Sequence, residues 1–193
     1  MRDGATTVAG RDRLLHAAIE HLADNGVTDR SLRGLAAAIG TSHRMLIYHF
    51  GSREGLLAEI VDVVERGQRD TLEALADAAD VAPRVAVLRF WSLVVGPALR
   101  YGPLFFELSA HAMQAQPHAE ALRANLVGPW LDALTGLLER AGHDPASARV
   151  HARLGLAVAR GLLHDVLVTG DVRAADEAME AFVDLVLGAD SRE

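Results

Sequence analysis

Residues 31–50 read Ser31-Leu32-Arg33-Gly34-Leu35-Ala36-Ala37-Ala38-Ile39-Gly40-Thr41-Ser42-His43-Arg44-Met45-Leu46-Ile47-Tyr48-His49-Phe50. Ser31 is placed to cap a short helix whose apolar face is Leu32, Leu35, Ala36 and Ile39, and Gly40 is placed to end it. Ser42 then caps a second short helix reaching Tyr48. Two short helices joined by a three- or four-residue turn containing glycine form the helix-turn-helix pattern, in which the first helix braces and the second enters the major groove of DNA. Leu35, Ala36, Ile39, Leu46 and Phe50 supply the apolar contacts that fix the crossing angle. His43, Arg44, Ile47 and Tyr48 are left on the opposite face. One guanidinium able to bridge guanine O6 and N7, with polar and aromatic reach on either side, suits a base-reading surface. The same spacing also suits two short core helices of any all-α protein, so spacing alone leaves both readings open.

Outward from this stretch the pattern stays helical, and no alternating run is long enough to nominate a strand pair. Upstream, a helix is predicted from about Arg11 to Asn25, with Leu15, Ile19 and Leu22 on one face and Gly26 closing it. Downstream, Ser52 caps a fourth helix running through Leu56, Leu57, Ile60, Val61 and Val64 toward Ala79, with Glu54 in its first turn and Gly67 as its weak point. Pro83 sits at a first helical position, and Val85 to Val95 is apolar almost all round, as in a central buried helix. Gly96-Pro97 and Gly102-Pro103 are expected to kink or end that helix. A helix from Pro103 to about Met113 follows, then one from about His118 to Arg140 that is kinked or split at Gly128-Pro129.

Asp144-Pro145 reads as a cap followed by a first helical residue, Gly170 as the closing residue, and Asp171 as the next cap. The two terminal helices therefore pack antiparallel through a short loop. Their expected stripes are Val150, Leu154, Val158 and Leu162 in one, and Ala175, Met179, Phe182 and Val186 in the other. Apolar residues off those stripes, such as Leu156, Leu163, Val183 and Leu185, leave surplus surface for a partner. Gly155, Ala159 and Gly161 would allow close helix approach.

The chain has 193 residues, half of them apolar, enough for a sizeable core. It has no cysteine, so disulfide frameworks and thiolate metal sites are excluded, and a reducing cytoplasmic compartment is the expectation. No run of about 18 apolar residues occurs, and the N-terminus lacks an apolar leader, so no membrane association is expected. The net charge of −7 argues against phosphate binding by the molecule as a whole. Its distribution does not: residues 1–56 hold seven Arg against six Asp and Glu, whereas the remainder holds twelve against twenty.

Residues 11–60 together resemble the N-terminal domain of the tetracycline-repressor (TetR) family. The resemblance lies in Leu15-x-x-Ala18, Asn25-Gly26-Val27, Ser31-Leu32-Arg33-x-Leu35-Ala36, Gly40-x-Ser42, Leu46-x-Tyr48-His49-Phe50 and Ser52-Arg53-Glu54-x-Leu56-Leu57, in register and without a gap. Later residues resemble the family only in helix order and in the terminal helix pair. The resemblance implies an all-α protein with a three-helix helix-turn-helix domain over 1–56 and a helical effector-binding and dimerisation domain over 57–193. It also implies double-stranded operator DNA as partner, with His43, Arg44 and Met45 near base edges and Ile47, Tyr48 and His49 near backbone and adjacent bases. Arg33 would reach a base or phosphate, Arg53 would grip phosphate where the family usually has Lys, and Ser31 and Ser42 would both cap and contact phosphate. Three positions depart from the family pattern: Ile47 where Tyr is usual, His43 where Lys is frequent, and Arg44 where Gly or Pro is frequent. They leave the operator sequence open.

The same resemblance implies homodimerisation through the last two helices, with Leu154, Gly155, Val158, Gly161, Leu162, Met179, Phe182, Val183 and Val186 as candidate interface residues. It also implies a pocket for a small, mostly apolar effector. Candidates to line that pocket are Phe90, Trp91, Phe105, Phe106, Glu107, His111, Met113 and Trp130, where aromatics gather beside the proline breaks; plain core is the competing reading for each. Glu107 and His111, four apart, share a helix face and could clamp a ligand's polar end or form a surface pair. His118, His143, His151 and His164 are scattered without metal-ligand spacing, and neither metal nor cofactor is expected. Two other classes compete: an enzyme using Glu107 and His111 as acid and base, for which no nucleophile, phosphate loop or cofactor fingerprint appears, and a helical adaptor without DNA affinity.

Overall fold

Ser31, Ser42 and Ser52 each accept, through the hydroxyl oxygen, a backbone N–H three residues ahead: Gly34 at 3.3 Å, Met45 at 3.2 Å and Gly55 at 2.9 Å. Each thereby satisfies a donor that the first helical turn cannot, and three consecutive helices start where the sequence predicts. The computed structural model describes residues 3–25, 31–78 and 80–188, and among these it is helical without strands. The helices are α1 (Asp3–Asn25), α2 (Leu32–Ala38), α3 (His43–Phe50), α4 (Arg53–Asp77), α5 (Pro83–Met113), α6 (Glu120–Asn125), α7 (Gly128–Arg140), α8 (Pro145–Thr169) and α9 (Val172–Leu187), with a short 3-10 turn at Pro117–Ala119 before α6. α1 begins at Asp3 instead of Arg11. Gly26 and Val27, expected to close it, and Ala79, expected near the end of α4, lie outside the described residues.

The described residues up to Val64 together with Pro103–Ala124 form one compact unit; Glu65–Gly102 and the described residues from Asn125 onward form another. In the first, Leu15, Ala18 and Leu22 of α1, Leu32, Leu35 and Ala36 of α2, Leu46 and Phe50 of α3, and Leu56, Leu57, Ile60 and Val61 of α4 are buried. Arg11 of α1 ties this bundle together. Its guanidinium pairs with Glu59 of α4 and lies 5.2 Å from the ring centroid of Phe50 in α3. One cation thus fixes three helices by an ion pair and a cation–π contact.

The second unit has two apolar clusters, one around Leu72, Trp130, Leu137 and Leu156, the other around Trp91, Val95, Val166, Met179 and Val183. The caps predicted for its terminal pair are present. Asp144 accepts from the N–H groups of Ala146 and Ser147, Pro145 is the first residue of α8, Gly170 closes α8, and Asp171 caps α9 through Ala174. The hydrogen bonds to Ser147, followed by the weaker one to Ala146, hold the Asp144 carboxyl below its ordinary range.

Two expectations are corrected. α5 is one 31-residue helix that ends at neither Gly96-Pro97 nor Gly102-Pro103. Each proline removes one donor, and the carbonyls so orphaned belong to Leu93 and Leu99, both exposed residues, so the helix can continue past each proline. The buried stripe of α8 is Ala148, Ala152, Leu156 and Val166, whereas Val150 and Leu154 face outward. Small residues at 148 and 152 let α8 approach its neighbour closely, and that fit decides which apolar face of α8 is buried.

Candidate nucleic-acid interface

α2 ends in a paired closure: the N–H of Thr41 donates to the Ala36 carbonyl at 2.8 Å and that of Gly40 to Ala37 at 3.3 Å. Gly40 takes φ +70°, which a side chain would oppose, so the glycine sets the sharp turn that aims α3. Within α3 the buried Leu46 and Phe50 face the bundle. At 100° per residue Tyr48 lies opposite them, Arg44 beside it, and Met45 and Ile47 at the two margins of the outward arc. Tyr48 is 70% exposed, Met45 40% and Ile47 38%. Arg44 is exposed too, and His43 and His49 are half-buried. The Tyr48 ring meets His49 edge-on at 4.9 Å.

The remaining candidates of this region surround α3 in sequence: Ser31, Arg33 and Ser42 are exposed, and Arg53 is half-buried at the start of α4. From Ser31 to Arg53 the chain has three arginines, two histidines and no acidic residue, although it carries 26 Asp and Glu in all. An outward helix face without carboxylates, flanked by guanidinium groups, can approach a polyanion without electrostatic cost.

One residue essential to this geometry was missed from the sequence. A Cβ built on Gly55 would stand 2.3 Å from the Phe50 carbonyl oxygen, so only glycine lets the first turn of α4 close against the end of α3. The signal was available in the Gly51-Ser52-x-x-Gly55 run between the two helices.

The effector candidates fall in both units. In the second unit, Trp91 is buried and donates its indole N–H to Asp176 at 2.6 Å, and Trp130 is buried and donates to Glu65 at 2.8 Å. Both indoles join helices of the body. Phe90 is half-buried with its ring centroid 5.9 Å from that of Trp130. In the first unit, Phe105 and Phe106 are half-buried with rings edge-on at 5.1 Å, Glu107 is exposed, and Met113 is 81% exposed. His111 meets His118 nitrogen to nitrogen at 3.1 Å, and His143 meets His151 at 3.3 Å, so histidines scattered in sequence are paired in space. Among the described residues no group of three or more His, Cys, Asp or Glu converges as a metal site. Among the described residues no helix is long and apolar enough to cross a membrane.

Of the dimerisation candidates, Met179 and Val183 are buried in the chain's own core, and Gly155 receives the Phe182 ring, an added Cβ standing 3.7 Å from it. Val158, Leu162 and Val186 are half-buried, while Leu154 and Gly161 are exposed. At helical spacing, exposed Val150, Leu154, Ala157, Gly161 and Val168 make one stripe along α8, and exposed Ala174, Ala178, Ala181 and Leu185 make another along α9.

A charged cluster that the sequence did not disclose lies inside the second unit. Glu65, on α4, is buried; besides the Trp130 bond it pairs with Arg160 of α8 at 3.4 Å. Arg160 also donates to the Leu126 carbonyl, and buried Arg69 donates to the Asn125 carbonyl at 3.4 Å with its guanidinium 5.8 Å from the Trp130 ring centroid. The two arginines thus satisfy carbonyls left open where α6 ends. Burial pushes the Glu65 carboxyl above the ordinary carboxylate range, outweighing the Trp130 hydrogen bond and the neighbouring guanidinium charges.

Residues 14–60 match the family described as bacterial regulatory proteins, tetR family. No curated protein matches the chain in sequence. Among solved structures, a putative TetR-family transcriptional regulator from Mesorhizobium loti is similar at 15% identity and a TM-score of 0.70, over 94% of this chain and 96% of that one. SmeT, the repressor of the SmeDEF multidrug efflux pump of Stenotrophomonas maltophilia, is similar at 21% identity and a TM-score of 0.63, over 94% and 91%. FadR of Thermus thermophilus, a TetR-family repressor solved in complex with lauroyl-CoA, is similar at 19% identity and a TM-score of 0.60, over 95% and 96%. These likenesses concern the fold, and residues 14–60 are similar in sequence to the N-terminal domain of the tetR family of bacterial regulatory proteins.

Proposed function

We propose that this chain is a ligand-responsive transcriptional repressor that binds a palindromic operator as a homodimer, residues 1–56 reading DNA and 57–193 holding the effector and the dimer contact. The observation that carries the reading is the outward arc of α3, where Arg44 and Tyr48 stand exposed within a stretch free of carboxylates. In this reading His43, Arg44 and Met45 face base edges, Ile47, Tyr48 and His49 reach backbone and adjacent bases, Arg33 reaches a base or phosphate, and Ser31, Ser42 and Arg53 hold phosphates. Phosphate contacts set affinity and register, and the groove-facing side chains set sequence choice.

The exposed apolar stripes of α8 and α9 support a second copy of the chain as the dimer partner. Two reading heads then address half-sites about 34–36 Å apart. A small, mostly apolar effector taken up in the body would act through α4; half-buried Phe90 in the second unit and, separately, half-buried Phe105 and Phe106 in the first are aromatic candidates for contact. Release needs tighter effector binding to the DNA-free state; a hundredfold preference corresponds to about 2.7 kcal/mol of coupling. The site of action is the cytoplasm, where the operator is.

Fluorescence polarisation with the DNA flanking the chain's own gene, at two salt concentrations, tests the reading. A preference for a palindromic segment with affinity falling steeply as salt rises supports it. Equal, salt-insensitive binding to all duplexes, or none, refutes it.

A further inference from the structure

We infer that Met45 and Ile47 read the C5-methyl groups of thymines in each half-site, so that the operator presents thymines on both sides of the base pair that Arg44 addresses. The inference rests on the DNA-reading role proposed above and adds the chemistry of the sequence read. Leu46 and Phe50 take the whole inward side of α3, and Met45 and Ile47 are left at opposite margins of the outward arc, with Arg44 and Tyr48 between them.

Neither margin side chain has a hydrogen-bonding group that could read a donor or acceptor on a base edge; Met offers only a weakly accepting thioether. In the major groove, the feature matched to an apolar side chain is the thymine methyl, which adenine, guanine and cytosine all lack. The surroundings favour DNA as occupant: Arg33, Arg44 and Arg53 bring positive charge to this stretch and no carboxylate opposes it. The separation of the margins predicts two kinds of methyl contact per half-site, each belonging to one side chain. Met45, unbranched and flexible, accommodates the position of its methyl; Ile47, stiff and β-branched, demands it.

The test uses the full chain. Duplexes are selected from a random pool, and the tightest is resynthesised with deoxyuridine replacing thymidine at one symmetric pair of positions at a time, which removes the methyl and nothing else. Burial of one methyl is worth about fourfold in affinity, so a symmetric pair is expected to cost about fifteenfold at two distinct positions. Met45→Ala should abolish the thymine–uracil difference at one of these positions and Ile47→Ala at the other; both residues are exposed, so folding is not at stake. Equal binding of thymine and uracil duplexes at every position, or a difference that survives both substitutions, overturns the inference while leaving DNA reading intact. Failure to enrich any duplex overturns the DNA-reading role and the inference with it.

Discussion

Trp130 of α7 donates its indole N–H to the Glu65 carboxylate of α4 at 2.8 Å, and both side chains are buried. The bond joins α4 to α7 within the second unit, and it answers part of the desolvation that Glu65 undergoes. Replacing Trp130 by Phe keeps an aromatic ring but removes the donor together with part of the buried indole surface. We expect the chain to lose about 1–3 kcal/mol of stability, read as a lower urea midpoint with unchanged slope.

Glu65 also makes stability depend on pH. Its folded pKa lies above the ordinary value of 4.5, so the native state holds the proton more tightly than the unfolded chain does. Its favourable contribution is full below 4.5 and is lost as pH rises through the raised folded value. Relative to Glu65→Gln, which cannot ionise, the unsubstituted chain should lose stability as pH rises through that window. Parallel urea titrations of both proteins check the sign, and a difference that grows in the opposite direction would show that the guanidinium charges outweigh burial.

Gly55→Ala places a methyl 2.3 Å from the Phe50 carbonyl oxygen, where backbone must move. We expect a loss of about 1–3 kcal/mol together with weakened DNA binding, because the displaced junction carries α3. Gly67→Ala in the same helix meets nothing within 4 Å and should stabilise slightly, a contrast that thermal unfolding of the two variants measures.

Arg44 and Arg53 should fail differently. Arg44→Ala is expected to cost about 1–3 kcal/mol at one symmetric pair of base positions and to relax choice there. Arg53→Ala should weaken binding to all duplexes alike and lower the salt dependence. Polarisation titrations against a set of single-base operator variants separate the two patterns.

Boundaries were legible in the sequence wherever one residue type does one local job: the caps at Ser31, Ser42, Ser52, Asp144 and Asp171, the closures at Gly40 and Gly170, and the break before Gly128-Pro129. The outward face of α3 was legible in three of its four expected residues: Arg44, Ile47 and Tyr48 are exposed, since Leu46 and Phe50 turn inward; His43 is half-buried, and Met45 is exposed in its stead. What depended on tertiary fit was not. Val150 and Leu154 are larger than Ala148 and Ala152, so hydrophobicity alone favours the wrong face of α8. Glu65 and Arg69 look like a solvated pair four residues apart, although with Leu72 they follow the spacing of a buried stripe. Pro97 and Pro103 look like helix ends because a sequence does not tell that the residues four positions earlier, Leu93 and Leu99, are exposed.

The stripes on α8 and α9 predict their own disruption. Leu154 is 49% exposed and Leu185 is 85% exposed, so Leu154→Glu with Leu185→Glu should leave folding intact and yield a monomer by sedimentation. The paired substitution should also lose operator affinity by more than either single reading-face variant, since one head alone forfeits half of the contacts.

A hydroxyl-radical footprint of the full chain on its selected duplex bears on the central claim most directly. Two protected patches on one side of the duplex, about one helical turn apart and both lost in Arg44→Ala with Tyr48→Ala, are the predicted result. A single patch, or protection that survives the loss of both side chains, would contradict the assignment of α3 as the reading helix of a dimer.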